Sequence, residues 1–470
     1  MAEVPVDGMA PSGLFAARPA LIRALNEQLL LDHIRSSGPY SRADLARVSG
    51  LSKPTVSLAL ANLERAGLIR LAGQRTGLPG RTALLYEVRP EAGFVLGLDI
   101  GLRYLRGAVA DLAGEVRARR SVPVHAKTVA DRVAELVALA DELCAGAGIT
   151  RAEIIQTVVG SPGVYDPQRN LMALTGGLPG WDRPEALAGL RTAFGPALSI
   201  ENDVDAAALA ERALGVGQEA DNFAFVHVGS GVGMGLVLGG RLHRGVHGVA
   251  GEIAFMPLGR DPRAWRDAEA SAGSSAGSMA GSDAGSLAGS FAGSGGGSLA
   301  GSGGGSLAGH GGGSGGSGAG GERPTVGPEG VIIDPAEARR RGTLEIAAGA
   351  DGIVRAARRA GLTGLATPQA VFEAAAAGDD RATDVMADEA RLVAAAICCV
   401  ITVVDPSLIV LGGGIGQAPG FAEAVSKALE EIAPVLPEVK VSALGTDVVV
   451  DGCLAEATAM AWTQLIASLP

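Results

Sequence analysis

Residues 41–69 carry the pattern that most restricts the fold of this chain: two short helices joined by a tight turn and followed by a strand. Ser41 can cap the first helix, and Asp44, three residues later, completes a capping box. Gly50 suits the turn because a residue without a Cβ atom enters the left-handed region at little steric cost. Ser52 can then cap the second helix. The spacing predicts a compact pair of helices whose starts are defined by local hydrogen bonds.

Each predicted helix has one apolar side. Leu45 and Val48 provide it in the first helix, and in the second it is formed, at spacings of four and three, by Val56, Leu60 and Leu63. The polar residues of the second helix are left facing outward, namely Lys53, Thr55, Ser57 and Asn62. The candidate DNA contacts at its start are Ser52, Lys53, Thr55 and Ser57. This is the pattern of a helix-turn-helix, in which the start of the second helix meets the base edges of DNA. The alternative is an ordinary helical hairpin inside a globular domain.

The flanking segments favour the DNA-binding interpretation. A helix is predicted at 21–35, and strands at 69–72 and 82–88 resemble the two strands of a wing. The loop between these strands carries Arg75 and Arg81, which suit contact with phosphates or with the minor groove. We therefore expect both arginines to bind DNA, with a simple polar hairpin loop as the alternative.

The N-terminal part of the chain and the rest differ in net charge, and we call them the head and the body. Residues 1–90 contain eleven Lys and Arg against seven Asp and Glu, a net charge of +4, whereas the remaining residues contain 28 against 43, a net charge of −15. Because +4 is small, a homodimer or higher homo-oligomer would bind a two-fold, double-stranded DNA operator better than a monomer. The expected organisation is a flexible tail at 1–20, a DNA-binding domain at 21–90 and a body at 91–470.

One stretch of the body differs in composition from the rest. From about 268 to 323 the chain is a repeat of Ala, Gly and Ser with isolated apolar residues, and a disordered insertion is expected because so little apolar surface cannot offset the entropy of ordering. The four cysteines have no paired metal-binding spacing, and the longest apolar run, at 392–404, is too short to cross a membrane. We expect a cytoplasmic protein with no membrane partner.

From residue 94 onward, apolar strands alternate with helices, which predicts an α/β body. A helix is expected at 129–145, and strands are expected at 94–101, 105–111, 154–159, 223–228, 234–238 and 407–411. Glycine loops follow two of these strands directly, at 229–233 and 412–416. Backbone amides in such loops could approach a phosphate or a sugar, although strand-ending glycines can equally be simple turns.

Together with these loops, three further segments resemble the motifs of a known family. They are Asp99-Ile-Gly101, Glu201-Asn-Asp-Val-Asp-Ala-Ala-Ala208 and Gly248-Val-Ala-Gly-Glu-Ile-Ala254. In order and spacing they resemble the ROK family of repressors, open reading frames and sugar kinases, over about residues 21–470. The resemblance implies a winged helix-turn-helix head followed by a two-lobed, actin-like and ribonuclease-H-like body, with a sugar bound in the cleft between the lobes.

The resemblance also implies functional residues. The sugar contacts would be Asn202, Asp203, Glu252 and Glu345. In a kinase, Asp203 would also be the catalytic base that takes the proton of the attacking hydroxyl. The nucleotide-binding positions would be Asp99, Gly101, Gly229, Gly231, Gly413 and Gly414. Carboxylates and an amide suit vicinal hydroxyls because they pair with them in hydrogen bonds. Asn202 and Asp203 could otherwise only cap a helix, and Glu252 could be a solvated helix residue.

The chain departs from the family pattern at two places. ROK proteins usually hold a structural zinc through one His and three Cys, and the matching positions here are Phe255, Ala336, Ala338 and Thr343. The phosphate loop, typically Asp-x-Gly-Gly-Thr-Lys in ROK kinases, reads Asp99-Ile-Gly-Leu-Arg-Tyr104. We therefore expect no metal and no cofactor, because the zinc ligands are absent and bulky side chains replace the residues that let a phosphate approach.

These features predict a sugar-responsive DNA-binding transcriptional regulator, in particular a repressor, whose effector is a sugar or a sugar derivative. An alternative of another class is an ATP-dependent sugar kinase with a regulatory DNA-binding head. Asp203 favours the kinase, whereas Leu102, Arg103 and the absent zinc ligands oppose it. A regulator that has lost its ligand response is a third possibility.

Overall fold

The computed structural model describes residues 19–75, 83–175, 178–258 and 340–469, together with residue 337 and two short strands at 325–326 and 332–333. Several predictions from the sequence therefore lie outside the described residues: the tail up to residue 18, Arg81, the insertion at 268–323, Ala336 and Ala338. The chain divides into two compact units, one made of 1–258 and 340–470 and the other of 259–339. The head and the rest of the body outside 259–339 belong to the first unit.

The N-terminal part is a winged helix-turn-helix. Its elements are α1 (Pro19–Ser37), β1 (Tyr40–Ser41), α2 (Arg42–Ser49), α3 (Lys53–Arg65), β2 (Ile69–Arg75) and β3 (Ala83–Val88). The strands form an antiparallel sheet in the order β1-β3-β2. Ser41 and Asp44 form a complete capping box, Gly50 follows α2 at a φ of 70°, and Ser52 caps α3 by accepting from the backbone N–H of Thr55. The predicted caps and turn are confirmed.

Two details of the predicted head are wrong. Val48 is not a core residue, since 41% of it is exposed, because the two-turn helix α2 buries only the side that holds Leu45. Asn62 does not simply face outward, since its Nδ2 donates to Oε1 of Glu27 at 2.7 Å and so joins α3 to α1. The predicted apolar face of α3 is confirmed, with Val56, Leu60 and Leu63 fully buried.

The body has two lobes. The first contains β4 (Phe94–Ile100), β5 (Tyr104–Asp111), β6 (Val116–Pro123), α4 (Val129–Ala147), β7 (Ile154–Ser161), β8 (Val164–Asp166), β9 (Leu171–Ala173), α5 (Pro184–Phe194), β10 (Leu198–Asn202) and α6 (Asp203–Ala213). The second begins with β11 (Phe223–Val228), β12 (Val232–Leu238) and β13 (Arg241–Leu242). The hairpin β14 (Thr325–Val326) and β15 (Ile332–Ile333) belongs to the other compact unit.

The second lobe is completed by helices and a parallel strand pair. These are α7 (Thr343–Ala348), α8 (Ala350–Arg359), α9 (Pro368–Ala376), α10 (Asp380–Val404), β16 (Leu408–Gly412), α11 (Gly413–Gly416), α12 (Phe421–Ile432) and β17 (Glu438–Val441). The apolar run at 392–404 forms the last turns of α10, which bury one face and leave Val403 exposed, and it precedes β16. A last helix, α13 (Val448–Ala467), packs on the first lobe. Within the described ranges, no helix has the length and apolar character that a membrane span requires.

The sheets of the two lobes follow the same plan. In the first, with the order β10-β7-β4-β5-β6, the central strand β4 is parallel to β7 and antiparallel to β5. In the second, with the order β17-β16-β11-β12-β13, β11 is parallel to β16 and antiparallel to β12. Because β11 and β16 are parallel, the glycine segments that follow them lie at the same edge of the sheet. The second segment, predicted as a loop at 412–416, is instead the last residue of β16 and the short helix α11. The repeated plan agrees with the two-lobed body that the family resemblance implies.

Helix α13 packs closely against α6. A Cβ atom added to Gly452 would lie 1.7 Å from the carbonyl oxygen of Ala206, so only a glycine allows the two helices to approach so far. Because α6 begins at Asp203, this contact lies within one turn of a predicted sugar-binding residue. The packing therefore ties the first turn of α6 to the second turn of α13.

The far end of α13 contacts the winged-helix head. Trp462 is buried, its Nε1 donates to the carbonyl of Leu112 at 3.0 Å, and the guanidinium of Arg35 on α1 lies 5.2 Å from its ring centroid. Trp462 also belongs to one hydrophobic cluster with buried residues of α1, namely Leu30, Leu31 and Ile34. We refer to Arg35, Leu112 and Trp462 as the head–body contact. Through it, the core of the head continues into the core of the body.

Candidate functional site

The start of α3 presents the residues predicted to read DNA. Ser52 and Lys53 are exposed, and Thr55 and Ser57 are partly exposed. The hydroxyl oxygens of Ser52 and Thr55 lie 2.7 Å apart, and Ser52 also accepts from the N–H of Thr55 at 3.3 Å. The cap thus orients these two hydroxyls, and Lys53 adds a positive charge beside them.

The wing is tied to the helical pair by a charged residue. Arg75, at the end of β2, donates to Oδ2 of Asp44 at 3.0 Å, while Arg81 lies beyond the described part of the wing. Arg47 was not identified from the sequence, although its spacing of three from Asp44 was the available signal. Its side chain is 77% exposed and pairs with Oδ1 of Asp44 at 3.2 Å. Arg47 therefore adds a second guanidinium to the same surface.

In the body, Asn202 caps α6. Its Oδ1 accepts from the backbone N–H groups of Val204 at 2.8 Å and Asp205 at 3.1 Å, and its Nδ2 donates to the carbonyl of Gly163 at 3.0 Å. The capping role considered for Asn202 is thus present. The cap also fixes the position of Asp203, the first residue of the helix.

Asp203, Glu252 and Glu345, three of the sugar contacts that the resemblance implies, lie close enough to interact electrostatically. Burial raises the pKa of Glu252 to about 7, and the charges of Asp203 and Glu345 contribute in the same direction. Burial also raises the pKa values of Asp203 and Glu345. Arg341 opposes the rise at Glu345, because its Nε lies 3.1 Å from Oε1 of that residue. A carboxyl group with a pKa near 7 can donate to a ligand hydroxyl or accept from it at neutral pH.

The loop after β4 is occupied by the chain's own cations. Arg106 stands opposite Asp99 in the β4–β5 register, and its Nη1 donates to Oδ2 of Asp99 at 3.2 Å. Burial, followed by the charge of Asp203, raises the pKa of Asp99 to about 7. The carbonyl of Gly101 accepts from Arg132 at 2.9 Å. The predicted nucleotide-binding carboxylate therefore already has a guanidinium partner.

His227 occupies the space between the two glycine loops of the second lobe. A Cβ atom on Gly229 would lie 2.7 Å from Nε2 of His227, and one on Gly413 would lie 2.9 Å from its Cε1. Burial lowers the pKa of the imidazole, whereas the nearby carboxylate of Asp203 acts in the opposite direction. His227 was not predicted from the sequence, where a polar residue inside the apolar strand β11 was the available signal.

The remaining predicted glycines have contacts within the protein. A Cβ atom on Gly231 would lie 2.7 Å from Oε2 of Glu345, so this glycine lets the Glu345 carboxylate approach. A Cβ atom on Gly414 would meet only Gln369, at 3.5 Å. Gly231 is thus explained by packing around the carboxylates, and the nucleotide-binding assignment of these glycines stays a prediction.

The segments that contain Phe255 and Thr343, two of the positions that match family zinc ligands, contact each other without any cysteine. Thr343 is buried and donates from Oγ1 to the carbonyl of Met256 at 2.7 Å, next to Phe255. A Cβ atom on Gly342 would lie 2.1 Å from the carbonyl oxygen of Ala254. No cluster of His, Cys, Asp and Glu within the described ranges could hold a metal ion. A hydrogen bond and close packing thus link the segments that a zinc ion links in the family.

A cavity of about 160 Å³ borders Asn202, and its lining does not include Asp203, Glu252 or Glu345. Its polar wall contains Glu201, Asp205 and Arg244. The guanidinium of Arg244 donates to Oε2 of Glu201, with Nε at 2.8 Å, and to Oε1 of Glu456 on α13 at 3.0 Å. The sequence analysis did not single out these residues.

The described residues form a winged helix-turn-helix head, a fold that typically binds DNA, followed by a two-lobed body that is similar to sugar kinases. The chain belongs to the ROK family, whose sequence profile matches residues 95–452, and a winged helix-turn-helix DNA-binding profile matches residues 25–70. Both parts of the fold predicted from the sequence are confirmed by these matches.

Curated relatives share part of the chain. An uncharacterized protein of Sinorhizobium fredii is 31% identical over 228 residues, which are 48% of this chain and 58% of the relative. The xylose repressor of Bacillus subtilis is 24% identical over 242 residues, which are 52% of this chain and 62% of the relative. The matches thus span about 60% of the length of these relatives.

Solved structures show the same fold. A ROK family transcriptional regulator, described as a homolog of the Escherichia coli MLC protein, has a TM-score of 0.67 and 21% identity, and the match covers 95% of this chain and all of the other. A ROK hexokinase from Thermus thermophilus has a TM-score of 0.55 and 24% identity, with coverage of 79% and 99%. The hexokinase matches less of this chain than the regulator does.

Proposed function

We propose that the chain is a sugar-responsive DNA-binding transcriptional regulator of the cytoplasm, a repressor that binds a two-fold operator as a homodimer. The observation that carries the proposal is the head–body contact. It joins a helix-turn-helix whose α3 start is exposed to a body with clustered carboxyl groups. A sugar that binds the body in one arrangement better than in another would change the placement of the heads on DNA. The xylose repressors among the relatives agree with this assignment.

The experiment is a mobility assay with the purified chain and DNA from its own promoter region. We expect specific binding that weakens as salt rises, because phosphate contacts release counterions. Unrelated DNA of the same length is the control. A panel of free sugars should then include at least one that releases the operator. No salt-sensitive binding to the promoter region would refute the proposed function.

A sugar kinase is the second candidate, and Asp203 is the observation that favours it. Burial raises the pKa of this carboxyl group, as suits a general base for the attacking hydroxyl. Against it, Arg106 pairs with Asp99, and His227 lies against Gly229 and Gly413, where a phosphate would have to approach.

Sugar-dependent ATP turnover separates the two candidates. We expect turnover at the background level for a panel of free hexoses and pentoses. Robust turnover that Asp203→Asn abolishes would make the kinase the better assignment, whether or not the chain also binds DNA.

A further inference from the structure

Asp44 on α2 contacts the wing, its own helix and the cap of that helix at once. Its Oδ1 accepts from Nη2 of Arg47 at 3.2 Å, and its Oδ2 accepts from Nη1 of Arg75, at the end of β2, at 3.0 Å. The same Oδ2 accepts from the backbone N–H of Ser41 at 3.3 Å and from its hydroxyl at 2.8 Å. The cap therefore fixes the carboxylate that holds both guanidiniums. We refer to Asp44, Arg47 and Arg75 as the Asp44 cluster.

The carboxylate of this cluster is sheltered, whereas its guanidiniums face solvent. The side chain of Asp44 is 16% exposed, and those of Arg47 and Arg75 are 77% and 53% exposed. Each guanidinium gives one hydrogen bond to Asp44, and among the described residues neither donates to a second acceptor. Because a guanidinium has five N–H donors, the others are available to an acceptor outside the protein. Phosphate oxygens suit them, since the resulting hydrogen bonds are charge-assisted.

Both arginines belong to elements that lie near the DNA backbone in this type of fold. The helix before the recognition helix crosses the backbone, and α2 holds that position here. Arginines of a wing contact phosphates or the minor groove, and Arg75 ends the first wing strand. The Asp44 cluster therefore offers DNA two positive charges that share one negative partner.

The charge of Asp44 offsets part of the attraction to DNA. Hydrogen bonds from Ser41 and the charge of Arg75 lower the pKa of Asp44, so its carboxylate is ionised at neutral pH. The cluster thus has a net charge of +1 instead of +2. A phosphate in an arbitrary position meets this weakened attraction. A phosphate that fits the two held guanidiniums gains their hydrogen bonds without the entropic cost of ordering flexible side chains.

We propose that Asp44 is a positioning residue that makes the head select its operator over unrelated DNA. It holds Arg47 and Arg75 in one arrangement and offsets one of their two positive charges. Binding to unrelated DNA depends on charge, which Asp44 reduces. Binding to one particular backbone shape depends on fixed contacts, which Asp44 supplies. The inference rests on the proposed function, because it assumes that the head binds an operator.

Titrations of the full chain with DNA from its own promoter region and with unrelated DNA of the same length test this role over a series of salt concentrations. Asp44→Asn should bind unrelated DNA several-fold more tightly than the wild type. Its slope of log affinity against log salt on unrelated DNA should be steeper by about one, because one more positive charge is free to neutralise a phosphate. The ratio of promoter affinity to unrelated affinity should fall about tenfold, the size of one charge-assisted contact. An unchanged ratio would refute the proposal.

A second carboxylate of the wing is the matched control. Oε1 of Glu87 on β3 accepts from Nε of Arg70 at 2.7 Å, and Arg70 is five residues before Arg75 on β2. Glu87→Gln removes one negative charge from the head, as Asp44→Asn does, but Arg70 keeps Glu91 as a partner at 3.1 Å. We expect little change in the ratio for Glu87→Gln. Equal changes in the two variants would indicate an effect of net charge and contradict the role of Asp44.

Asp44→Glu and Asp44→Gln keep the test valid if Asp44→Asn does not fold. Both replacements can close a capping box with Ser41, so they differ in charge rather than in helix capping. Asp44→Gln should steepen the salt slope on unrelated DNA by about one, and Asp44→Glu should leave it near the wild-type value. Equal slopes would show that Asp44 only caps α2 and would overturn the proposal.

The wild-type titrations separate this inference from the proposed function. A wild type that does not prefer its promoter region to unrelated DNA would contradict the proposed function. A wild type that does prefer it, together with Asp44 variants of the same preference, would contradict the role of Asp44 alone.

Discussion

Asp99 and Arg106 form an ion pair at the position where the resemblance implies a nucleotide contact. The carboxylate sits at the end of β4, where the family resemblance places a nucleotide contact, and the guanidinium faces it from β5. A buried carboxylate that has a guanidinium partner is already neutralised in part. A cation-bound phosphate would have to displace Arg106 and leave it without that partner, which is costly in a buried site.

The raised pKa of Glu252 predicts a pH dependence of folding in the sugar-free protein. A carboxyl group whose pKa rises from 4.5 to about 7 on folding stabilises the protein below pH 4.5. This contribution is lost as the pH rises toward and through 7. Glu252→Gln should therefore reduce the loss of unfolding free energy between pH 5 and pH 8 by on the order of 1 kcal/mol, after allowance for solvent screening.

Urea titrations of the wild type and Glu252→Gln at the two pH values measure this difference. The substituted amide cannot ionise, so its unfolding free energy should change less with pH than that of the wild type. A difference of the opposite sign would show that Glu252 is ionised more easily in the folded protein than in the unfolded chain.

At the scale of elements, α3 should bind DNA through its first turn. Lys53→Ala should weaken operator binding several-fold and reduce the slope of log affinity against log salt by about one if the contact is to a phosphate. Sugar affinity should not change. Lys427→Ala on α12 is the charge-matched control in a mobility assay, and an equal effect of both variants would point to net charge rather than to the α3 surface.

The contact between α6 and α13 gives a second prediction at this scale. Gly452→Ala would place a Cβ atom 1.7 Å from the carbonyl oxygen of Ala206, and the helices would have to separate. We expect a loss of about 1–3 kcal/mol in unfolding free energy, even though alanine favours a helix over glycine. Gly364→Ala is the control for urea unfolding, because nothing lies within 4 Å of its added Cβ atom. Similar stabilities of the two variants would contradict the close approach.

Elements with local signals could be predicted from the sequence, and contacts between distant segments could not. The capping box of Ser41 and Asp44 depends on residues three positions apart, and both the box and the turn at Gly50 are present. Asn62, by contrast, is held by Glu27, which is 35 residues away, and no periodicity within α3 indicates such a partner. The pairing of Arg106 with Asp99 could have been predicted, because counting residues across the short β4–β5 turn places the two opposite each other.

In the body, too, local signals predict single elements but not the contacts between distant segments. The strand and glycine pattern indicates the fold and the approximate edge of the cleft, because strands and turns follow local sequence. The cavity next to Asn202 is built from β8, β10, α6 and the segment after β13, and Glu456 on α13 holds Arg244 of its wall. Such a site appears only when the whole chain is folded, since Arg244 and Glu456 are 212 residues apart.

At the scale of the whole molecule, we expect the head–body contact to couple sugar binding in the body to DNA binding by the head. Trp462→Phe keeps most of the apolar side chain, removes the hydrogen bond to Leu112 and weakens the interaction with the Arg35 guanidinium. We expect the ratio of operator affinities with and without sugar to fall several-fold toward one. Sugar affinity in the absence of DNA should be nearly unchanged.

Operator titrations of wild type and Trp462→Phe, with and without a saturating effector, give this ratio. Because coupling is reciprocal, the effect of operator DNA on sugar affinity must shrink by the same factor. An unchanged ratio in Trp462→Phe would show that another contact transmits the response.

The surroundings of Trp462 also allow the head–body contact to be followed by tryptophan fluorescence. The chain has three tryptophans, and Trp462 has a cation over its ring and a hydrogen-bonded indole N–H in a dry setting. Trp181 is also buried, but it lies in the first lobe with its N–H on Ser161. If the head moves off the body, the emission of Trp462 should shift to longer wavelength as water reaches the indole. With Trp181 and Trp265 changed to Phe, the molecule would carry an intrinsic optical signal for whether its head is docked.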